Sequence, residues 1–184
     1  MVDAGKRLAD ERGSSFTIQE LTNDAGVALR TFYRHFESKD QLLLAVLEEM
    51  INEGNAQLAD LGASLPDPIS RLRYYVEGAA VSLTADNPGR RRFVTSEHLR
   101  LHQLVPDHLA RITYSFIDLI VPEIEAAQAA GLLPPGDAER DAWFISQLVR
   151  TVFHHYAFLD AAPADLGEEL WEFCYRALGG APER

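Results

Sequence analysis

The stretch Phe16-Thr-Ile-Gln-Glu-Leu-Thr-Asn-Asp-Ala-Gly-Val-Ala-Leu-Arg-Thr-Phe-Tyr-Arg-His-Phe-Glu-Ser-Lys-Asp-Gln-Leu-Leu43 decides how the rest of the chain is read. Its apolar residues recur at helical spacing in two short runs, about Thr17 to Asp24 and Leu29 to His35, separated by Ala25-Gly26-Val27. Helices this short cross steeply only if the residue between them tolerates a positive φ, which glycine does. Ile18, Leu21, Val27, Phe32 and Phe36 then point to one side as a small core, and the second run turns Arg30, Thr31, Tyr33, Arg34 and His35 outward. Such a mixture on one exposed helix suits base edges and phosphates in a major groove.

The flanks agree with that reading. Thr17 is expected to cap the first of these helices with Glu20 as its capping-box partner, leaving amides that can face a phosphate. Ser38-Lys39 opens a longer helix in the same way, joining amides to an ammonium at a second phosphate site. Contacts of this kind position a protein on DNA without reading its sequence.

Working outward, Val2 to Arg12 reads as a helix stopped by Gly13. Leu42, Leu43, Val46, Leu47, Met50 and Ile51 follow the i, i+3, i+4 rule in the fourth helix. Past Leu65-Pro66-Asp67-Pro68 come a helix to about Ala85, one from Asp86-Asn87-Pro88-Gly89 to near Val105, and one from Pro106 to about Ala130 that Pro122 is expected to kink or split. Beyond Gly131 to Gly136, Ala138 to Ala161 and Asp165 to Leu178 read as two strongly apolar final helices. No segment carries a strand's alternation. The expected fold is all-α with about nine helices: a three-helix helix-turn-helix domain for DNA in residues 1–47, and a helical ligand-binding and dimerisation domain in 48–184.

The net charge of −11 opposes a nucleic-acid partner, because phosphates must be met by Lys and Arg. Its distribution limits that objection. Residues 1–50 hold six basic and nine acidic side chains and carry only −3 of the total, and within 28–39 Arg30, Arg34 and Lys39 face Glu37 alone. A small basic face on an acidic body can still bind DNA, while the body discourages non-specific association. Cys174 stands alone among Trp171, Phe173 and Tyr175, the setting of a packed thiol. No run approaches about 18 consecutive apolar residues, and the N-terminus lacks a secretory apolar stretch. A cytoplasmic location without a membrane partner is expected. Ser96, Glu97 and the histidines offer catalytic residue types at no recognised spacing, so neither an enzyme nor a cofactor is expected.

Over about residues 8–50 the sequence resembles the DNA-binding domain of the tetracycline-repressor (TetR) family. The resemblance rests on a helix opened by Thr17, Ala25-Gly26-Val27 in the turn, Thr31-Phe32-Tyr33 and His35-Phe36 in the recognition helix, and Ser38-Lys39-Asp40 before a leucine-rich helix. It implies a nine-helix, Ω-shaped homodimer, usually a repressor, released from palindromic double-stranded operator DNA by a small effector. Carried onto this chain, the DNA-binding positions are Thr17, Ala28, Leu29, Arg30, Thr31, Tyr33, Arg34, His35 and Lys39. Four features depart from the pattern. Thr22 replaces a usual Ala, Ala28 a usual Ser cap, and Leu29-Arg30 a basic-then-small pair; the first helix also lacks the basic N-terminal turn that touches the DNA backbone, which implies weaker binding or an earlier true start. Arg30 becomes the expected reader of a guanine, and Leu29 a thymine-methyl contact.

An effector pocket should lie among the helices of residues 68–130, apolar with a few orienting polar groups. Tyr74, Phe93, His98, His102, Tyr114, Phe116 and Phe153 are its candidates; each taken singly is better suited to plain core, and together they imply an apolar or amphipathic effector. His98 and His102, at i and i+4, have zinc-ligand spacing, but Glu97 and His108 supply no clear third ligand and no metal is expected. Arg90-Arg91-Arg92 reads as a solvated cluster, with pairing to a phosphorylated or CoA-linked effector as the alternative. Trp143, Leu148, Val152, Tyr156, Leu170 and Phe173 give the last two helices more apolar surface than one covering face needs, so they are the expected dimer interface. The competing function is a related small-molecule sensor that has lost its operator.

Overall fold

The computed structural model describes residues 1–81 and 87–181. Among them the chain forms nine helices and no strand: α1 (Val2–Arg12), α2 (Ile18–Asp24), α3 (Leu29–His35), α4 (Lys39–Gly62), α5 (Pro68–Val81), α6 (Pro88–Leu104), α7 (Pro106–Ala129), α8 (Ala138–Tyr156) and α9 (Leu166–Ala177). The end of the helix expected to reach Ala85 lies outside the described residues.

One expectation is narrowed and one is corrected. Pro122 does not split α7, which continues through it. Proline removes one backbone bond, and here Ile117, Ile120 and Ile124 on either side are buried and hold both halves in the core. The eighth helix stops at Tyr156 rather than Ala161, where Ala157 closes the last turn by donating to Phe153 O.

The helices pack as two units that do not follow chain order. One holds Met1–Glu53 together with α6 and the chain as far as Ile112; the other begins at Gly54, takes in α5, and resumes at Thr113. In the first, Leu8, Phe16, Leu21, Phe32, Leu42 and Val46 make a core that Phe93 of α6 completes. Burying each of these large side chains contributes about 1.5–3 kcal/mol. Two glycines permit the close packing: a Cβ on Gly5 would lie 2.6 Å from a Val46 methyl, and one on Gly89 would meet the Asp10 carbonyl. In the second unit, Leu72 and Val76 of α5 pack with Ile120 and Ile124 of α7, Ile145 of α8, and Trp171 and Cys174 of α9. Burial pushes the Cys174 thiol up to about 11, in keeping with a packed rather than reactive cysteine.

Candidate nucleic-acid interface

The reading helix is placed by local chemistry. Thr17 Oγ1 accepts from Glu20 N at 3.1 Å while Thr17 N donates to Glu20 Oε2 at 2.7 Å, so both halves of the capping box are made. The Thr17 backbone bond most of all, and then the Thr17 hydroxyl donating to Glu20 Oε2 at 2.8 Å, hold the Glu20 carboxyl below its ordinary range. Gly26 adopts φ +65°, with no atom near enough to obstruct a Cβ, so glycine is needed there for its backbone and not for room. Val27 N donates to Thr22 O at 3.0 Å and closes the turn. The departure at Thr22 is accommodated: its side chain is buried and its hydroxyl donates to Gln19 O at 3.1 Å.

On α3, Phe32 is fully buried against the core, with the Phe36 ring 5.6 Å away. The opposite side is open: Leu29 and Tyr33 are 42% and 55% exposed, and Arg30, Arg34 and His35 are exposed with them. Thr31 is half-buried. Ala28 is extended and supplies no side-chain cap, so the first turn of α3 has only backbone to close it. The structure therefore puts Leu29, Arg30, Tyr33, Arg34 and His35 on one accessible helix.

The start of α4 is a second polar centre. Ser38 Oγ accepts from Gln41 N at 3.2 Å. Lys39 Nζ donates to Ser14 O at 2.5 Å and stands 4.8 Å from the centre of the Phe16 ring, so its ammonium is fixed before any partner arrives. Next to it, Asp40 meets Arg100 of α6 at 2.9 Å, and Arg100 also reaches the buried Glu97 carboxylate at 2.7 Å. Burial alone would pull the Arg100 guanidinium down, but its bonds to Glu97 and Asp40 outweigh that and hold it above its ordinary value. Reading the sequence missed this latch, since nothing local ties residue 100 to residue 40. The spare carboxylate in a basic stretch, Asp40 beside Lys39, was its only trace.

Residues 1–46 match the family model of bacterial regulatory proteins of the tetR family. Over 47 residues the chain is 45% identical to the uncharacterized HTH-type transcriptional regulator YvaF of Bacillus subtilis (strain 168), covering 26% of this chain and 25% of that protein. Over 92 residues it is 35% identical to the HTH-type transcriptional repressor DhaR of Mycobacterium sp. (strain GP1), covering 48% of this chain and 45% of that one. These matches span less than half of either relative's length. Across nearly the whole fold the chain is similar to the transcriptional regulator FadR from Bacillus subtilis, solved in complex with stearoyl-CoA, with a TM-score of 0.78 at 13% identity over 98% of this chain and 97% of that one.

Residues 1–46 are thus similar to the DNA-binding part of tetR-family regulators.

The effector candidates divide between the two units. Phe93 is fully buried in the core beneath α3, and His98 and His102 lie on the same α6 with their rings stacked 6.4 Å apart. Tyr74, Tyr114, Phe116 and Phe153 belong to the other unit. There an open groove of about 590 Å³ lies between α7 and α8, with Tyr114, Ile117, Asp118, Val121, Asp137 and Trp143 among its lining. No group of three or more His, Cys, Asp or Glu residues suited to a metal ion occurs among the described residues. Of the dimer candidates, Trp143 and Phe173 are 42% and 58% exposed, and Phe144 beside Trp143 is 59% exposed. Leu148, Val152 and Tyr156 are half-buried, whereas Leu170 is absorbed into its own core. Among the described residues no helix is long and apolar enough to cross a membrane.

Proposed function

We propose that this chain is a TetR-family regulator, an effector-responsive transcriptional repressor that binds palindromic operator DNA as a two-fold dimer and is released by a small amphipathic molecule. The observation that carries the reading is α3: a short helix anchored by a buried Phe32 that presents Arg30, Tyr33, Arg34 and His35 to solvent, with the fixed Lys39 ammonium at the start of the next helix. Arg30 and Leu29 read bases; Thr17, Ala28, Thr31, Tyr33, Arg34, His35 and Lys39 hold the backbone. That DhaR is a repressor and that FadR was solved with stearoyl-CoA supports repression and a lipid-like effector for this chain. The exposed aromatic side chains of α8 and α9 serve as the dimer face, which DNA half-sites about 34 Å apart demand. Residues 1–47 act as the DNA-binding part and 48–184 as the ligand and dimer part, in the cytoplasm. The helix α4 runs on from Lys39 beyond that boundary, so a shift in its inclination alters the spacing of two recognition helices.

The test is an anisotropy titration against the chain's own upstream DNA at two salt concentrations. Specific, salt-sensitive binding is expected, weakened by about 1–3 kcal/mol in Arg30→Ala with loss of discrimination at one base pair. Absence of binding at low salt would replace this reading with that of a sensor without an operator.

A further inference from the structure

The three arginines that open α6 have three different fates. Arg90 pairs with Asp10 at 3.3 Å, and Arg92 is exposed. Arg91 turns inward and is only 8% exposed, with its Nε buried and without a hydrogen-bond partner among the described residues. One turn on, Thr95 is 1% exposed, and its Oγ1 is likewise buried without a partner. The spacing from 91 to 95 places both on one face of α6, which the buried imidazole of His98 continues.

No described carboxylate answers Arg91. The nearest acid along the helix, Glu97, is held by Arg100 at 2.7 and 2.8 Å, and Asp10 by Arg90. An arginine cannot shed its proton to relieve burial, and a buried donor without an acceptor carries the full cost of its lost water. A methionine would fill the same space at lower cost. The chemistry that would satisfy both side chains is a single acceptor with several lone pairs and a negative charge: a guanidinium presents forked N–H donors suited to an oxyanion, and a hydroxyl adds one more.

We propose that Arg91 and Thr95 form a head-group subsite for a small effector that carries an oxyanion, a carboxylate or a phosphate. The proposal rests on the reading of this chain as an effector-responsive regulator and assigns the effector an anionic end in addition to its apolar body.

The experiment is thermal denaturation of the full chain without DNA, at constant ionic strength, with inorganic phosphate, decanoate, or the neutral control decanol. Phosphate or decanoate should raise the melting temperature of the parent chain saturably. Arg91→Met should melt at or above the parent when unliganded and bind the same anion at least about tenfold more weakly, with its response to decanol unchanged. Thr95→Val, close to isosteric, should weaken anion binding severalfold and keep the fold, so the subsite stays testable if the arginine variant misfolds. Indifference of the parent to both anions overturns the subsite, as does an equal response in Arg91→Met. Because melting is read without DNA, failure here leaves operator binding standing, and failure of operator binding leaves this result legible. A response to decanoate alone identifies a carboxylate, and one to phosphate alone a phosphorylated compound.

Discussion

Gly26 is where a single atom decides the interface. Its φ of +65° costs an L-residue about 1–2 kcal/mol, and no neighbour would obstruct the added methyl, so the strain stands unmixed with steric clash. Gly26→Ala should lower stability by about that amount, read as a drop in the urea midpoint at constant m-value, and should weaken operator binding by setting α3 at a different angle to α2. His154 gives a second residue-level expectation. Its imidazole is pushed below the ordinary 6.5 chiefly by burial, and further by the nearby Arg150 charge. Above pH 6.5 the ring is neutral in both folded and unfolded chains and adds no pH dependence. As pH falls below 6.5 the unfolded chain takes the proton first, so stability is lost from there down to the lower folded value and no further. Urea midpoints at pH 7.5 and 5 should therefore fall more for the parent than for His154→Gln; equal falls would show that other groups carry the change.

Among the elements, the coupling of α6 to α4 makes a distinct prediction. Asp40 stands in the first turn of α4 beside Lys39, where a carboxylate repels phosphate unless Arg100 compensates it. Arg100→Gln should weaken operator binding by about 1 kcal/mol, and the loss should largely vanish in an Asp40→Asn background, since the coupling between them is what a double-mutant cycle measures. Independent, additive losses would show that Arg100 acts only through the fold. The helices themselves were legible because their signals are local: a Thr-x-x-Glu box, a glycine in the turn and the i, i+3, i+4 spacing of α4. What their faces meet was not. Phe93 reads as one more aromatic in the middle of the chain, and only the folding back of α6 makes it part of the core under α3. On α9, Leu170 and Phe173 carry the same apolar signal three residues apart, yet one is buried within the unit and the other stands exposed. Sequence periodicity marks such a stripe without saying where its own core stops. For the same reason Arg91 looked like a solvated charge between two others.

At the level of the whole molecule, the acidity and the interface are reconciled by where cations are committed. Much of the positive charge around the head is already paired: Arg7 with Asp24, Arg12 with Glu20, Lys6 with Glu53 and Arg90 with Asp10. Among the described residues no acid pairs with the arginines of α3, so a short basic strip remains on a body of charge −11. Because few of the backbone-holding side chains are cationic, the salt sensitivity of binding should be present but modest in slope.

The return of α6 has a further consequence for how such a chain can be cut and recombined. A fragment ending at the close of α4 would lose the phenyl group of Phe93 from between Phe16, Phe32 and their neighbours, and would leave Asp40 and Asp10 without their arginines. The reading head is therefore not a cassette that can be moved by a single crossover. Grafting it onto another regulator requires either carrying α6 along or redesigning the side chains that α6 supplies, and natural exchange between relatives meets the same obstacle at this boundary.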